Sequence, residues 1–147
     1  PEQLSLTRIL QSFLDFREEV IIRRTRFELA KAREKAHVLL GFAVAVANID
    51  PIIALIRAAV DRQQAKIELM EKDWDASVVA PLISLVDEEA GHQDRYRLTE
   101  TQAQAILDLR LHRLTGLERE KISNDLNDVV TQIQEYLSIL ASRQKIL

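Results

Sequence analysis

An all-α fold, a long antiparallel coiled coil with a small helical globular domain at its tip, follows from three observations. The 147-residue sequence holds only 3 Gly and 3 Pro, too few for the turns of a many-stranded sheet, and Ala, Leu, Ile, Glu, Arg and Gln dominate it. Both ends carry apolar residues repeating every seven positions, the mark of helices that pair along a seam. The stretch between them is apolar on several faces and punctuated at short intervals, as a compact cluster of short helices is.

The first helix opens with Ser5 as N-cap and meets no Pro or Gly before Gly41. Running from Leu6 to Asn48, it is about 65 Å long at 1.5 Å per residue. Leu6, Phe13, Val20 and Phe27 form its seven-residue repeat, with Ile9, Phe16 and Ala30 completing the stripe and Arg23 and Glu34 breaking it. Such a stripe covers one partner helix, not a globular core. From His37 to Ala47 most faces turn apolar, so this end of the helix is expected to be buried. Asp50 then caps a short helix that Pro51 opens and that runs to about Val60. Asp61 caps another, to about Lys72, and Asp75 a third over Ala76–Val86, with Pro81 near its start. Residues 87–97 are polar and read as a loop. Thr99 with Gln102 is a capping-box pattern opening a helix over Glu100–Leu114, and Thr115 with Glu118 a second, opening a helix to about Lys145. That last helix repeats Leu126, Ile133, Leu140 and Leu147, interleaved with Ile122, Val129 and Tyr136.

Three segments result: an outgoing coiled-coil helix over 1–36, a helical tip over 37–114 and a returning helix over 115–147. Phe13–Phe27 is expected to pack antiparallel on Ile122–Leu140, so that Asp at Phe27 or Ile133 unfolds the arm and leaves the tip largely helical. No strand is expected.

Composition narrows the chemistry. Without Cys there is no disulfide framework, thiolate zinc site or cysteine nucleophile. The longest apolar run, Val38–Ala47, is far too short to span a bilayer, and nothing at the N-terminus reads as a signal peptide. These features suit a cytoplasmic protein that makes no membrane contact. The sequence opens on Pro1 and reads as a piece of a longer chain. A net charge of −3 provides no overall field for nucleic acid.

No catalytic constellation emerges. His37, His92 and His112 have no common metal-ligand spacing, and there is no Gly-rich phosphate loop, G-x-S-x-G or His-Glu-x-x-His. Asp73-Trp-Asp75 is a D-x-D pair of the kind that holds magnesium, but capping accounts for Asp75. Tyr136 falls on the coiled-coil seam and Tyr96 borders the helix that follows Leu98, so both read as packing residues. Catalytic, cofactor and metal residues are therefore expected to be none. Residues 17–35 hold seven basic against four acidic side chains, a local +3 that could meet DNA phosphates or equally form a solvated face with pairs such as Glu19–Arg23. Residues 61–96 carry a local −5.

The helix after Leu98 is apolar around more than half its circumference, and Ala103 and Ala105 let another helix approach closely. It is either buried in the tip or shared with a second chain. The candidate dimer contacts are Ala103, Leu107, Leu111 and His112, with Arg113 at the rim.

The segments Arg17-Glu-Glu-Val-Ile-Ile-Arg-Arg-Thr-Arg-Phe-Glu-Leu-Ala-Lys-Ala-Arg-Glu-Lys-Ala-His-Val-Leu39, Ala47-Asn-Ile-Asp50 and Leu98-Thr-Glu-Thr-Gln-Ala-Gln-Ala-Ile-Leu-Asp-Leu-Arg-Leu-His-Arg-Leu-Thr-Gly-Leu-Glu118 resemble the gyrase A-subunit family of bacterial type IIA DNA topoisomerases. The related topoisomerase IV subunits share the layout, but Arg24–Leu29 and Leu114–Glu118 are more similar to gyrase. Asp61–Arg95 departs most. The resemblance implies the coiled-coil arm and exit gate (C-gate) of an ATP-dependent supercoiling enzyme, dimerising through its tip and opening to release the transported duplex. It implies as partners a second copy, the upstream DNA-cleavage core of the same polypeptide, double-stranded DNA and the gyrase B subunit. It places the nucleophilic tyrosine upstream and the Mg2+ and ATP sites in other parts of the holoenzyme, with no cofactor in this stretch. The alternatives are the equivalent arm of topoisomerase IV and a structural coiled-coil adaptor whose tip binds an unrelated protein.

Overall fold

A computed structural model describes residues 2–86, 94–111 and 114–146. The chain runs α1 (Glu2–Ala47), α2 (Ile49–Ala58), α3 (Arg62–Glu71), β1 (Trp74–Asp75), α4 (Ala80–Val86), β2 (Arg95–Tyr96), α5 (Glu100–Leu109) and α6 (Gly116–Ile146). The expected all-α class holds, with one small addition. β1 and β2 pair antiparallel, Trp74 opposite Tyr96 and Asp75 opposite Arg95. Two residues per strand leave no room for an alternation that sequence patterning could register.

The arm is α1 against α6. Their direction is fixed at both ends: Arg143 pairs with Glu18 at one, and Ala43 and Ala47 share a cleft with Ile122 and Asn127 at the other. The helices are therefore antiparallel. On α6 the inward stripe is Leu126, Val129, Val130 and Ile133, all buried, followed by half-buried Tyr136 and Leu140. Leu147 lies outside the described residues.

On α1 the expected seam is corrected. Phe13 is 62%, Val20 41% and Phe27 58% exposed, and Leu6, Ile9 and Phe16 are exposed with them. The buried stripe is Thr25, Leu29, Ala32 and Ala36, spaced four, three and four. It stands two residues on from the Phe27 register, and at 3.6 residues per turn two residues carry a side chain about 200° around the helix. The large apolar side chains of the expected seam thus lie on the back of the arm, and a stripe of mostly small ones, with Leu29 among them, is buried. Thr25 satisfies its hydroxyl by donating to the Ile21 carbonyl at 2.8 Å, which lets it stand in the seam.

At the tip, α1 continues unbroken through Gly41 and becomes buried: Ala36, Leu40, Val44 and Ala45 have no exposed surface. They join Ile52, Leu69, Ile83 and Ile106 in the tip core. α5 packs on α1 and α3, and α4 packs on both α1 and α6. Two ion pairs join α3 to α5, the exposed Arg62–Asp108 and Lys66–Glu100, whose lysine is half-buried.

Several caps fall where the sequence placed them. Asp61 accepts from the Gln64 N–H at 2.8 Å, and Thr99 with Gln102 forms a complete capping box. Thr115 accepts from the Glu118 N–H at 3.2 Å. Other boundaries differ. The cap of α2 is Asn48, not Asp50, and its amide is engaged elsewhere, donating to the carbonyls of Val44 and Asp75 at 2.8 Å each. α5 stops at Leu109 because Arg110 turns into the left-handed region (φ 55°, ψ 65°), an arrangement that ends a helix. α4 starts at Ala80, so Pro81 sits in a first turn where its missing N–H costs nothing.

Gly41 marks a close approach. A Cβ there would stand 2.9 Å from both Cβ and Cγ of Gln102. In an unobstructed helix Gly→Ala gains up to about 1 kcal/mol. Here the overlap with the root of a buried side chain outweighs that gain, and Gly41→Ala is expected to lower stability by about 1–2 kcal/mol in urea titration.

Candidate functional site

The tip residues proposed for a second chain divide into two kinds. Ala103 has no exposed surface and Leu111 only 3%, so both are core residues of the protomer and cannot present a face to a partner. The sequence pattern overstated that face because α5 buries one side on α1 and another on α3. Leu107 is half-buried and lines a shallow depression of about 120 Å³ with Ile53, Ile56, Arg57 and Arg110. This is apolar surface with a basic edge. His112 and Arg113 lie outside the described residues, as do His92 and most of the expected 87–97 loop; 94–97 contribute β2 instead.

Behind this face lies a polar network that sequence reading missed. Gln102 is fully buried, yet each of its amide atoms is used. Its Nε2 donates to the His37 carbonyl at 2.8 Å and to the Tyr96 hydroxyl at 3.1 Å. Its Oε1 accepts from the Thr99 N–H at 3.0 Å. The Thr99 hydroxyl lies 2.8 Å from His37 Nε2. One side chain thereby ties α1, β2 and the start of α5 together. The capping-box pattern identified Gln102 as a local cap, but spacing along one helix carries no information about α1 or Tyr96.

The remaining candidates are engaged structurally. The Asp75 carboxylate accepts from the Ser77 N–H at 3.1 Å, and this bond holds its carboxyl below the usual carboxylate range, helped by the Ser77 side chain and the charge of Arg95. Asp73 pairs with Arg97 at 3.3 Å. Among the described residues no three His, Asp or Glu side chains group as a metal site. Trp74 donates from Nε1 to the Leu69 carbonyl at 3.0 Å, with Lys72 over its ring. On the arm, Arg23 pairs with Glu19 at 2.8 Å on an exposed face, a contact worth only a few tenths of a kcal/mol. Among the described residues no single helix is long and apolar enough to cross a membrane.

The fold is a helical hairpin that carries a packed domain at its closed end, and the polar side chains described above serve as caps and inter-helix ties. Over residues 1–147 the chain matches the model of the DNA gyrase/topoisomerase IV A-subunit family, and it belongs to that family. It is 52% identical over 97% of its length to the DNA gyrase A subunit of Granulibacter bethesdensis. It is 48% identical to that of Rickettsia bellii and 45% to that of Aeromonas salmonicida, in each case over its full length. The chain spans only 15–17% of these relatives.

Proposed function

We propose that this chain is the exit-gate (C-gate) arm of a bacterial gyrase A subunit, which holds two protomers together at the tip and separates to release a transported DNA duplex during ATP-dependent supercoiling. The antiparallel pairing of α1 with α6 supports this reading most directly. It puts both ends of the chain at one end of a long arm and the folded tip at the other, as a gate at a distance from a core requires. The catalytic groups, Mg2+ and ATP belong on this reading to other parts of a cytoplasmic holoenzyme: the upstream cleavage core and the gyrase B subunit. The arm contributes reach and a separable contact.

A two-fold contact is isologous, each patch meeting its own copy. A gate that must open once per cycle suits an interface of roughly 1,000–2,000 Å² in total, with an apolar centre and polar rim. Leu107, flanked by Ile53 and Ile56, supplies such a centre and Arg57 and Arg110 such a rim. Light scattering behind size-exclusion chromatography should find the 16.8 kDa chain as a dimer at micromolar concentration. Leu107→Glu should give a monomer of unchanged helicity, with dimer affinity reduced at least about tenfold. Leu111→Asp should instead disrupt the tip. A wild-type chain that stays monomeric well above micromolar concentration would favour a coiled-coil adaptor and overturn the gate reading.

A further inference from the structure

The joint between arm and tip contains an open cleft of about 390 Å³ that none of the interactions above uses. Its wall is apolar. Ala43, Val46 and Ala47 come from the end of α1, Val79 and Leu82 from the turn before α4 and from α4 itself, and Ile122 and Leu126 from α6. Val78 stands at the lining and is 81% exposed, a large apolar side chain with little cover.

One side of the cleft is different. Arg119, Ser123 and Asn127 line it from α6 at spacings of four, so they form a single polar row along one helix face. Among the described residues no acidic side chain lines the cleft and Arg119 has no ion-pair partner. The volume falls within the roughly 300–1,000 Å³ of small-molecule sites, which are mostly apolar with a few placed polar groups.

We propose that this cleft binds a small amphipathic anion, its apolar body against Val46, Val79, Leu82 and Ile122 and its carboxylate or sulfonate on Arg119. A cation at one end of an apolar trough selects that polarity of ligand over a neutral or cationic one, because a charge-assisted bond to a guanidinium is stronger than a neutral hydrogen bond. The hydroxyl of Ser123 and the amide of Asn127 lie further along the row to take a second polar atom. The occupant would bridge α4, α1 and α6, the three elements that meet where the tip joins the arm, and so would raise the thermal midpoint of the chain with concentration.

The 147-residue chain titrated with 2-naphthoate tests this, with binding followed through its methyl NMR signals. The expected result is saturable shifts at Val46, Val78, Val79, Leu82, Ile122 and Leu126 and a rising thermal midpoint. The neutral analogue 2-naphthalenemethanol should bind about tenfold more weakly, and Arg119→Gln should remove that difference, as loss of one charged hydrogen bond requires. Arg119 is exposed, so this variant keeps the fold; Ser123→Trp, which fills the cleft, should abolish the shifts. Equal affinity for the two probes, or shifts confined to the exposed Leu6–Phe16 face and lost in Phe13→Glu, would overturn the proposal.

Discussion

Ile133→Asp should separate the two helices of the arm, while Phe27→Asp should leave them paired. Ile133 has no exposed surface and stands in the middle of the α6 stripe, and the buried stripe of α1 is Thr25, Leu29, Ala32 and Ala36. A carboxylate there finds no partner, and burying it or prising the helices apart costs about 4 kcal/mol or more. That is a large share of the ~5–15 kcal/mol that holds a domain of this size. The arm also lacks a second layer to absorb the change, because α6 packs chiefly on α1. Phe27 is 58% exposed on the other side of the same helix. Its described ring contact is with Lys31, whose ammonium lies 5.0 Å from the centroid. Losing that contact costs roughly 0.5–1 kcal/mol at an exposed site. Urea titration followed by circular dichroism should show a separate low-denaturant transition in Ile133→Asp, with the tip helices persisting, and a nearly unshifted curve in Phe27→Asp. Equal losses in the two variants would mean that the arm packs through the Phe face after all.

That contrast marks where sequence reading succeeded and where it failed. Helix existence, the capping residues Asp61, Thr99 and Thr115, and the α6 stripe were all legible, because each is a local pattern of 3–7 residues. The α1 stripe was not. Its inward face is built from Thr25, Ala32 and Ala36, which score as weak or polar, while Phe13, Phe16 and Phe27 form a stronger repeat on the back. Size, not hydrophobicity alone, decides a close helix pair: α6 fills the seam with Leu126, Val129 and Ile133, so α1 answers with small side chains. The spacing of four, three and four through Thr25, Leu29, Ala32 and Ala36 was available as a signal. At the tip, the apolar girth of α5 was read correctly but assigned in part to a second chain. Ala103 is buried because α5 has two neighbours within the protomer, α1 and α3, and no single-helix pattern counts neighbours; Leu111 is buried beyond the end of α5.

The second large effect is expected at Gln102. Gln102→Leu keeps nearly the same volume and removes the acceptor of the Thr99 N–H, an orphan donor at the start of α5. It also removes the donor shared by the His37 carbonyl and the Tyr96 hydroxyl. Stranding the Thr99 N–H costs about 1–3 kcal/mol, and the bonds to the His37 carbonyl and the Tyr96 hydroxyl are lost with it, so a loss of about 3 kcal/mol is expected in urea titration. Gln102→Glu adds a pH dependence whose sign follows from the same geometry. A carboxylate can still accept from Thr99 but presents no hydrogen to the other two oxygens, so burial and the missing donor both raise its pKa in the folded chain above the unfolded value of about 4.3. The folded state then binds the proton more tightly. The stability that the protonated form restores is fully present below pH ~4.3 and is lost as pH rises through the folded pKa. Measured against wild type at each pH, the deficit of Gln102→Glu should grow from acid towards neutral pH, whereas that of Gln102→Leu should stay flat. A flat profile in both would mean that Nε2 does not hold α1 to Tyr96, and that the start of α5 stands on its capping box alone.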